Sequence, residues 1–168
     1  YQQPVLTKIF MRNLQVGSIE FYQACKEATI KAYEGKVSKD TLDGIVKLIP
    51  NPAANGTSVS CAGDVNLTAA FIYGTVECKL PSKNKTFQGE HWGIGLAGFR
   101  ASGIFYSAYN NWDAVFDNAT AYHVQCLGAA AGIVQVNWFN KDGVPVAQFN
   151  GIAGGLGVMQ VGGKGSWK

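Results

Sequence analysis

The sequence is short of charge. Only 14 basic and 11 acidic residues occur among 168, so charged residues make up 15% of the chain, against about 25% in an average globular protein. The near balance of the two signs argues against nucleic-acid binding, which relies on clustered Lys and Arg. No uncharged apolar run approaches the roughly 20 residues of a membrane-spanning helix, so no integral membrane segment is expected. With 47% hydrophobic residues, the chain still has enough apolar surface to fold.

Residues that could carry chemistry are also few. The two histidines, His91 and His123, each lie in an alternating pattern beside aromatic residues. The sequence has no zinc-ligand spacing, phosphate-binding loop or serine-nucleophile motif, so we expect neither a metal nor a cofactor. Asp113 and Asp117 are four residues apart and could form a pair of catalytic carboxylates, although a polar rim at the end of a barrel is the simpler interpretation. We therefore expect a protein that is not an enzyme, with a secreted hydrolase or cyclase using these four residues as an alternative.

The cysteines point to an oxidising compartment. There are four of them, Cys25, Cys61, Cys78 and Cys126, and none lies in a Cys-x-x-Cys motif. Two disulfides are therefore predicted, and three pairings remain open, although a direct Cys61–Cys78 pair does not suit a tight hairpin. The sequence shows no signal peptide, and its start at Tyr1 is typical of a mature terminus after cleavage, so we expect a secreted, extracellular protein.

Glycosylation motifs support the same compartment. Four Asn-x-Thr motifs occur, where the abundance of Asn, Ser and Thr would give about one by chance. They predict N-glycosylation at Asn55, Asn66, Asn84 and Asn118, on surface loops of a secreted eukaryotic protein.

The chain divides into two unlike parts. Residues 1–55 hold 12 of the 25 charged residues and 3 of the 21 glycines, and their apolar spacing predicts two helices. Ser18 and Gly35 would bound the first helix, and Ser38 and Pro50 the second. We interpret residues 1–55 as an N-terminal helical segment and residues 56–168 as an antiparallel β-barrel.

Residues 56–168 show the alternation of β-strands. We count eight or nine strands joined by short connections, including one near 112–117, and short connections favour antiparallel hairpins. Closure into a barrel removes the exposed edges of such a meander, and glycines inside the strands suit the strong coiling of a small barrel. The predicted fold is mainly β, a compact closed antiparallel barrel of about eight strands with the helical segment packed on it.

The aromatic residues of the predicted barrel allow two interpretations. They could fill the barrel core, which eight strands make just wide enough for side chains, and this is the interpretation we favour. Alternatively some of them could line a ligand site, for which Trp92, Tyr109 and Trp112 are the candidates. If the core is filled, an external apolar patch at one barrel end is the better candidate for a binding surface.

Five stretches of the second part carry a resemblance. They are His91-Trp-Gly-Ile-Gly-Leu-Ala-Gly, Gly103-Ile-Phe-Tyr, Gly132-Ile-Val-Gln-Val-Asn-Trp-Phe, Ala147-Gln-Phe-Asn-Gly-Ile-Ala-Gly-Gly-Leu-Gly and Gly162-Gly-Lys-Gly-Ser-Trp. Residues 56–168 thereby resemble the virulence-associated protein (Vap) family first known in Rhodococcus. The resemblance implies a compact eight-stranded barrel with a packed interior and no evident active site. It also implies secretion, a variable N-terminal region and, in some members, action on host phagosomal or lysosomal membranes.

This chain departs from that family in its cysteines, its glycosylation motifs and its helical N-terminal segment. These features predict a secreted eukaryotic relative, with fungi as one candidate source. The function we expect is that of a secreted, effector-like glycoprotein that binds membrane lipid, another apolar ligand or a host surface component. A glycan- or protein-binding effector is the alternative from another class.

Overall fold

The computed structural model describes residues 14–50, 59–70, 72–92, 97–127, 132–153 and 160–168. Two helices come first, α1 (Ile19–Tyr33) and α2 (Lys39–Leu48). Eight strands follow within these ranges, namely β1 (Ser60–Ala70), β2 (Tyr73–Leu80), β3 (Lys85–Trp92), β4 (Ala97–Ser107), β5 (Ala121–Leu127), β6 (Ile133–Phe139), β7 (Pro145–Ile152) and β8 (Gln160–Trp167). A short 3-10 turn (Pro81–Lys83) precedes β3, and a third helix, α3 (Trp112–Asn118), precedes β5.

The strands close into a barrel in the order β1-β2-β3-β8-β5-β6-β7-β4, and every neighbouring pair is antiparallel. Two features of this order could not be expected from hairpins alone. The C-terminal strand β8 lies between β3 and β5, and β4 lies between β1 and β7. The predicted mainly-β fold, a closed antiparallel barrel with an N-terminal helical segment, is confirmed.

The helical segment begins and ends where its capping residues place it. The Ser18 hydroxyl accepts the backbone N–H of Phe21 at 3.1 Å, and the Ser38 hydroxyl accepts that of Thr41 at 3.1 Å. These bonds satisfy backbone donors that the first turn of a helix leaves without partners. The two helices lie on the side of the barrel, where α1 packs on β5 and α2 packs on β7.

The helix α3 corrects one expectation. The segment near 112–117 was predicted as a strand, but Trp112–Asn118 is helical. The Asn111 side chain accepts the backbone N–H of Ala114 at 2.8 Å and caps the helix. The spacing of Trp112, Val115 and Phe116 then turns all three toward the core, which a strand could not do.

Large aromatic rings fill the part of the barrel next to α3. Phe87, Phe105 and Trp138 are fully buried, and their ring centroids lie 5.2–5.6 Å apart in edge-to-face pairs. Trp167 joins this cluster and donates its indole N–H to the carbonyl of Ala119 at 2.9 Å. The favoured interpretation, in which aromatic residues fill the core, therefore holds for these rings.

Glycines let the last strand close the barrel. A Cβ atom on Gly163 would lie 2.0 Å from the carbonyl oxygen of Glu90, and one on Gly165 would lie 2.2 Å from that of Gln88. Real Cβ atoms do not come so close to a backbone oxygen, so β3 and β8 could not approach each other with larger residues at these positions. This contact agrees with the expectation that glycines inside the strands serve a small barrel.

The outer faces of β6 and β7 carry four amide side chains that are buried beneath the helices. Gln135 lies opposite Asn150, and Asn137 opposite Gln148. Each amide donates to the next around a closed ring: Gln135 to Asn150 at 3.0 Å, Asn150 to Gln148 at 2.7 Å, Gln148 to Asn137 at 2.6 Å, and Asn137 to Gln135 at 2.9 Å. We call these four residues the amide ring.

The remaining N–H group of each amide reaches out of the ring. Three of them bind the helical segment, at the Thr29 hydroxyl (2.8 Å), the Tyr33 hydroxyl (3.3 Å) and the backbone carbonyl of Ile45 (3.1 Å). The fourth binds the Tyr106 hydroxyl on β4. Because every N–H group of the ring has an acceptor, these amides can be buried without the usual cost of burying polar groups.

We predict that Asn137→Ala destabilises the folded protein by about 2–4 kcal/mol. It would leave a buried oxygen of Gln135 and a buried N–H of Gln148 without partners, and each such group costs about 1–3 kcal/mol. Urea unfolding followed by tryptophan fluorescence would measure the change. Gln88→Ala, which removes an exposed amide from β3, is the matched control and should change stability by less than about 0.5 kcal/mol. Equal effects of the two substitutions would show that the amide ring does not hold the fold together.

We also predict that Gly165→Ala destabilises the barrel by more than about 2 kcal/mol, because the new methyl group would push β8 away from β3. Gly98→Ala is the control, since a Cβ atom there would meet its nearest neighbour at an ordinary 3.6 Å. Thermal unfolding of both variants would test this, and a stable Gly165→Ala protein would contradict the proposed reason for the glycine.

Candidate functional site

The strand order defines one end of the barrel, where β1, β3, β5 and β7 finish and β2, β4, β6 and β8 begin. In the sequence, the stretches between these strand ends are residues 71–72, 93–96, 128–132 and 153–159, and they contain only Gly, Ala, Val, Leu, Ile, Met and Phe. The strands that end on this side of the molecule are therefore linked by uncharged sequence.

Three exposed apolar side chains lie at the strand ends there. Trp92 is 72% exposed, Ile72 is 60% exposed and Tyr73 is 38% exposed. Tyr73 and Trp92 are cross-strand partners on β2 and β3, and their rings meet edge to face with centroids 5.1 Å apart. We call Ile72, Tyr73 and Trp92 the apolar end. Large apolar side chains exposed together are uncommon in a folded protein and indicate a contact surface.

His91 lies directly behind this surface, on the inner side of β3. It is buried, and its Nδ1 lies 3.2 Å from the hydroxyl of Tyr122. Its Nε2 has no hydrogen-bond partner among the described residues, and burial lowers the pKa of the ring. The ring fits only because Gly74 lies opposite, where a Cβ atom would be 2.2 Å from Nε2. His91 is thus a neutral inner residue of the barrel, and its ring does not project toward solvent.

A shallow groove lies on the outer face of β2, β3 and β8. Its volume is about 450 Å³, and its walls include Thr75, Glu90 and Lys164. The carboxylate of Glu90 accepts a hydrogen bond from the phenol of Tyr73, and partial desolvation together with this carboxylate raises the pKa of Tyr73. The groove contains both charge signs and therefore favours neither anions nor cations.

The opposite end of the barrel is polar. Its connections carry five charged residues, namely Lys83, Asp113, Asp117, Lys141 and Asp142. Lys83 lies 4.9 Å above the ring of Trp112, and Lys85 lies 5.4 Å above that of Phe116. The two ends of the barrel thus differ sharply in polarity.

The structure separates the ligand-binding candidates of the sequence. Trp92 lies at the apolar end, whereas Trp112, the first residue of α3, and Tyr109, just before α3, are half-buried at the polar end. Sequence reasoning did not single out Ile72 or Tyr73. The available signal was the uncharged turn at residues 71–72 between two alternating runs.

The residues considered for catalysis are not brought together either. Asp113 and Asp117 are exposed on α3, at the polar end. His91 faces the barrel interior near the apolar end, and His123 lies on the outside of β5 in contact with Tyr33 of α1. Among the described residues, no group of three or more His, Cys, Asp or Glu side chains could hold a metal ion.

The cysteines differ from expectation. Cys25, Cys61 and Cys78 are thiols in the structure, so the two predicted disulfides are not present. Cys25 faces the barrel from α1, whereas Cys61, Cys78 and Cys126 pack with the barrel core, so the strand wall separates the first from the others. Burial raises the pKa of Cys25 to about 12 and that of Cys78 well above its ordinary value, which makes both thiols unreactive.

Three of the four predicted glycosylation sites can be placed. Asn84 is exposed in a turn with φ of 51°, and Asn118 is exposed at the end of α3. Both lie at the polar end of the barrel. Asn66 is half-buried on β1, and Asn55 lies outside the described residues. As to spanning segments, none of the helices in the described ranges has the length and apolar character needed to cross a bilayer.

Comparison with known proteins gives the chain a family. Two solved structures from the intracellular pathogen Rhodococcus equi share its fold: virulence-associated protein VapB, with a TM-score of 0.55, and virulence-associated protein VapD, with a TM-score of 0.57. Each is 18% identical to this chain and covers 66% of it, and the match spans 97% of the VapB chain and 98% of the VapD chain. A search of curated proteins gives no match.

The family model described as Rhodococcus equi virulence-associated protein matches residues 17–168, which includes both helices of the N-terminal segment as well as the whole barrel. The resemblance noted in the sequence is therefore confirmed and extends beyond the barrel. The chain belongs to the Rhodococcus equi virulence-associated protein family.

Proposed function

We propose that this protein is a secreted, non-enzymatic effector that binds membrane lipid through its apolar end. The observation that carries the proposal is the difference in polarity between the two ends of the barrel. At one end the connections are uncharged and Ile72, Tyr73 and Trp92 are exposed, while the other end carries five charged residues. Such a molecule can meet a bilayer with one end and keep the other in water.

The side chains suit the boundary between lipid and water. Trp and Tyr are enriched at this boundary because their rings are apolar while the indole N–H and the phenol O–H stay hydrated. Burying three side chains of this kind, which are already partly covered, would contribute about 3–6 kcal/mol in total. That free energy supports reversible attachment to the membrane surface rather than permanent insertion.

Secretion and glycosylation belong to the same proposal. The exposed sites Asn84 and Asn118 lie at the polar end, so glycans on them would leave the apolar end uncovered. The eukaryotic origin that the glycosylation motifs suggest likewise remains a proposal.

Glycan binding is the second candidate. A groove of about 450 Å³ presents Thr75, Glu90 and Lys164 on its walls. Its Glu90 carboxylate accepts a hydrogen bond from the exposed Tyr73, whose ring contacts that of Trp92. An aromatic ring beside hydrogen-bonding side chains of both charge signs is a suitable surface for an uncharged sugar. In this case the protein would bind an oligosaccharide, and no membrane would be needed.

We predict that the protein floats with phosphatidylcholine vesicles and that Ile72→Glu reduces the bound fraction at least about tenfold. Placing a charge at the bilayer surface opposes the burial that drives attachment. The matched control is Val144→Glu, because Val144 is 51% exposed but lies at the polar end. Flotation on neutral and anionic vesicles at pH 7 and pH 5, with dye leakage measured in parallel, would compare the three proteins.

Equal loss of binding in both variants would place the membrane contact elsewhere than at the apolar end. No flotation of the unaltered protein under any of these conditions would reject membrane binding. Binding to an oligosaccharide array in the same preparation would then favour the second candidate.

A further prediction concerns the glycans. In a glycosylating host, Asn84→Gln should lower the mass of the secreted protein by one glycan, because Asn84 is exposed in a turn where the enzyme can reach it. Mass spectrometry before and after amidase treatment would measure this. A protein that loses no mass on amidase treatment would contradict the glycoprotein assignment.

A further inference from the structure

A single hydrogen bond joins the end of α1 to the barrel at a residue that can titrate. The hydroxyl of Tyr33, the last residue of α1, lies 2.9 Å from Nδ1 of His123 on β5, and the two rings are 5.9 Å apart. The same hydroxyl accepts an N–H of Asn137, a member of the amide ring, at 3.3 Å. Tyr33 therefore bridges the ring and the histidine.

These contacts favour one direction of the Tyr33–His123 bond, because Nδ1 of His123 is the acceptor within reach of the phenol proton. One N–H of Asn137 goes to Gln135 and the other to Tyr33, so the phenol oxygen acts as an acceptor toward the amide ring. The phenol proton is then free to point at Nδ1 of His123. Burial raises the pKa of Tyr33 to about 12, so the phenol keeps this proton. His123 is consequently a neutral imidazole that accepts at Nδ1 and carries its proton on Nε2.

Protonation of His123 would break this arrangement. A proton on Nδ1 turns it from an acceptor into a donor, so the phenol proton of Tyr33 would lose its acceptor. Tyr33 is 5% exposed, so water cannot readily take over as acceptor. Burial lowers the pKa of His123, which shows that this site already disfavours the charged ring.

No described carboxylate faces His123 to stabilise a positive charge. Its neighbour on β6 is Asn137 and its neighbour on β8 is Gly162. The nearest charged residue on the outer face of β8 is Lys164, which has the wrong sign, and Glu90 lies one strand further, opposite Lys164.

The charged residues of the helical segment do not supply one either. Lys31 on α1 and Glu34, which directly follows α1, are both exposed to solvent, as is Lys36 just beyond them. The other helix, α2, meets the barrel on β7, where the carbonyl of Ile45 binds the amide ring. Solvent screens exposed charges strongly, so they offset little of the cost of charging the half-buried ring of His123.

We propose that the Tyr33–His123 hydrogen bond is an acid-sensitive latch that holds the helical segment on the barrel at neutral pH and loosens it at acidic pH. The direction of the pH dependence follows from the lowered pKa of His123. Docked His123 has a lowered pKa, so the undocked state binds more protons. The docked state is fully stable above the ordinary histidine pKa of about 6.5 and loses stability as the pH falls below it.

Loosening the latch would uncover apolar surface on the side of the barrel. Phe21 and Cys25 of α1 and Ile49 after α2 are buried against Ile133 of β6. Ile133 begins β6, which lies across the closed barrel from β2 and β3, the strands whose ends carry Ile72, Tyr73 and Trp92. The latch is therefore separate from the proposed membrane contact, and either can be rejected without the other.

Hydrogen–deuterium exchange of α1 at pH 7 and pH 5, corrected for the intrinsic rate at each pH, tests the latch. In the unaltered protein we expect the protection of Ile19–Tyr33 to fall at least about threefold at pH 5, with β6 unchanged. In His123→Gln, whose amide oxygen can still accept the phenol proton, this pH dependence should disappear. His91→Gln is the matched control, since the chain has only two histidines, and it should keep the dependence.

Tyr33→Phe is a second test of the same hydrogen bond, in case His123→Gln disturbs the packing around residue 123. It removes the bond but keeps the burial of His123, so α1 should exchange faster at both pH values and with a smaller pH dependence. A dependence that persists in His123→Gln, or one of unchanged size in Tyr33→Phe, would overturn the latch, as would equal protection of α1 at the two pH values in the unaltered protein.

Discussion

The amide ring of Gln135, Asn137, Gln148 and Asn150 is the constraint on which the rest of the assembly depends. A small barrel usually presents the outer faces of its strands to water, but here β6 and β7 are covered by helices. Covering polar side chains is unfavourable unless each of their donors finds an acceptor. The ring meets that condition only while α1 and α2 are in place, because three of its four outward N–H groups bind them. The helical segment thus supplies the hydrogen-bond acceptors that the buried amides of the barrel require.

This dependence explains why the docking of the helices is specific. Apolar contacts such as those of Phe21 and Ile133 would tolerate sliding, because the hydrophobic effect is not directional. Hydrogen bonds to a fixed ring do not tolerate it, since a shift of one residue would leave buried donors without acceptors. The family model extends over the helices as well as the barrel, which agrees with a segment that forms part of the folded unit.

The sequence contained most of the architecture but not its most informative parts. Alternation, short connections and strand glycines predicted a closed barrel, because each is a local consequence of strand geometry. Gln135 and Asn137 were visible at alternate positions, yet polar residues at such positions normally face water, so a buried ring could not be predicted without knowing what covers it. The helix α3 was mistaken for a strand because Trp112, Val115 and Phe116 fit a short apolar run of either kind. The disulfides were wrongly predicted because cysteine spacing in the sequence does not show that the barrel strands lie between Cys25 and the other three cysteines.

The apolar end, too, could be predicted from the sequence only in part. Four uncharged connections can be read in the sequence, but only the closed antiparallel order places all of them at one end. In such a barrel, alternate connections lie at opposite ends, so a difference in composition between odd and even connections becomes a difference between two faces of the molecule. The function proposed here follows from that conversion, since a protein with one uncharged end and one charged end has a defined orientation at any boundary between water and an apolar phase. The helical segment covers β5, β6 and β7, across the barrel from the ends of β2 and β3 that carry Ile72, Tyr73 and Trp92, so its docking can change while these side chains stay exposed.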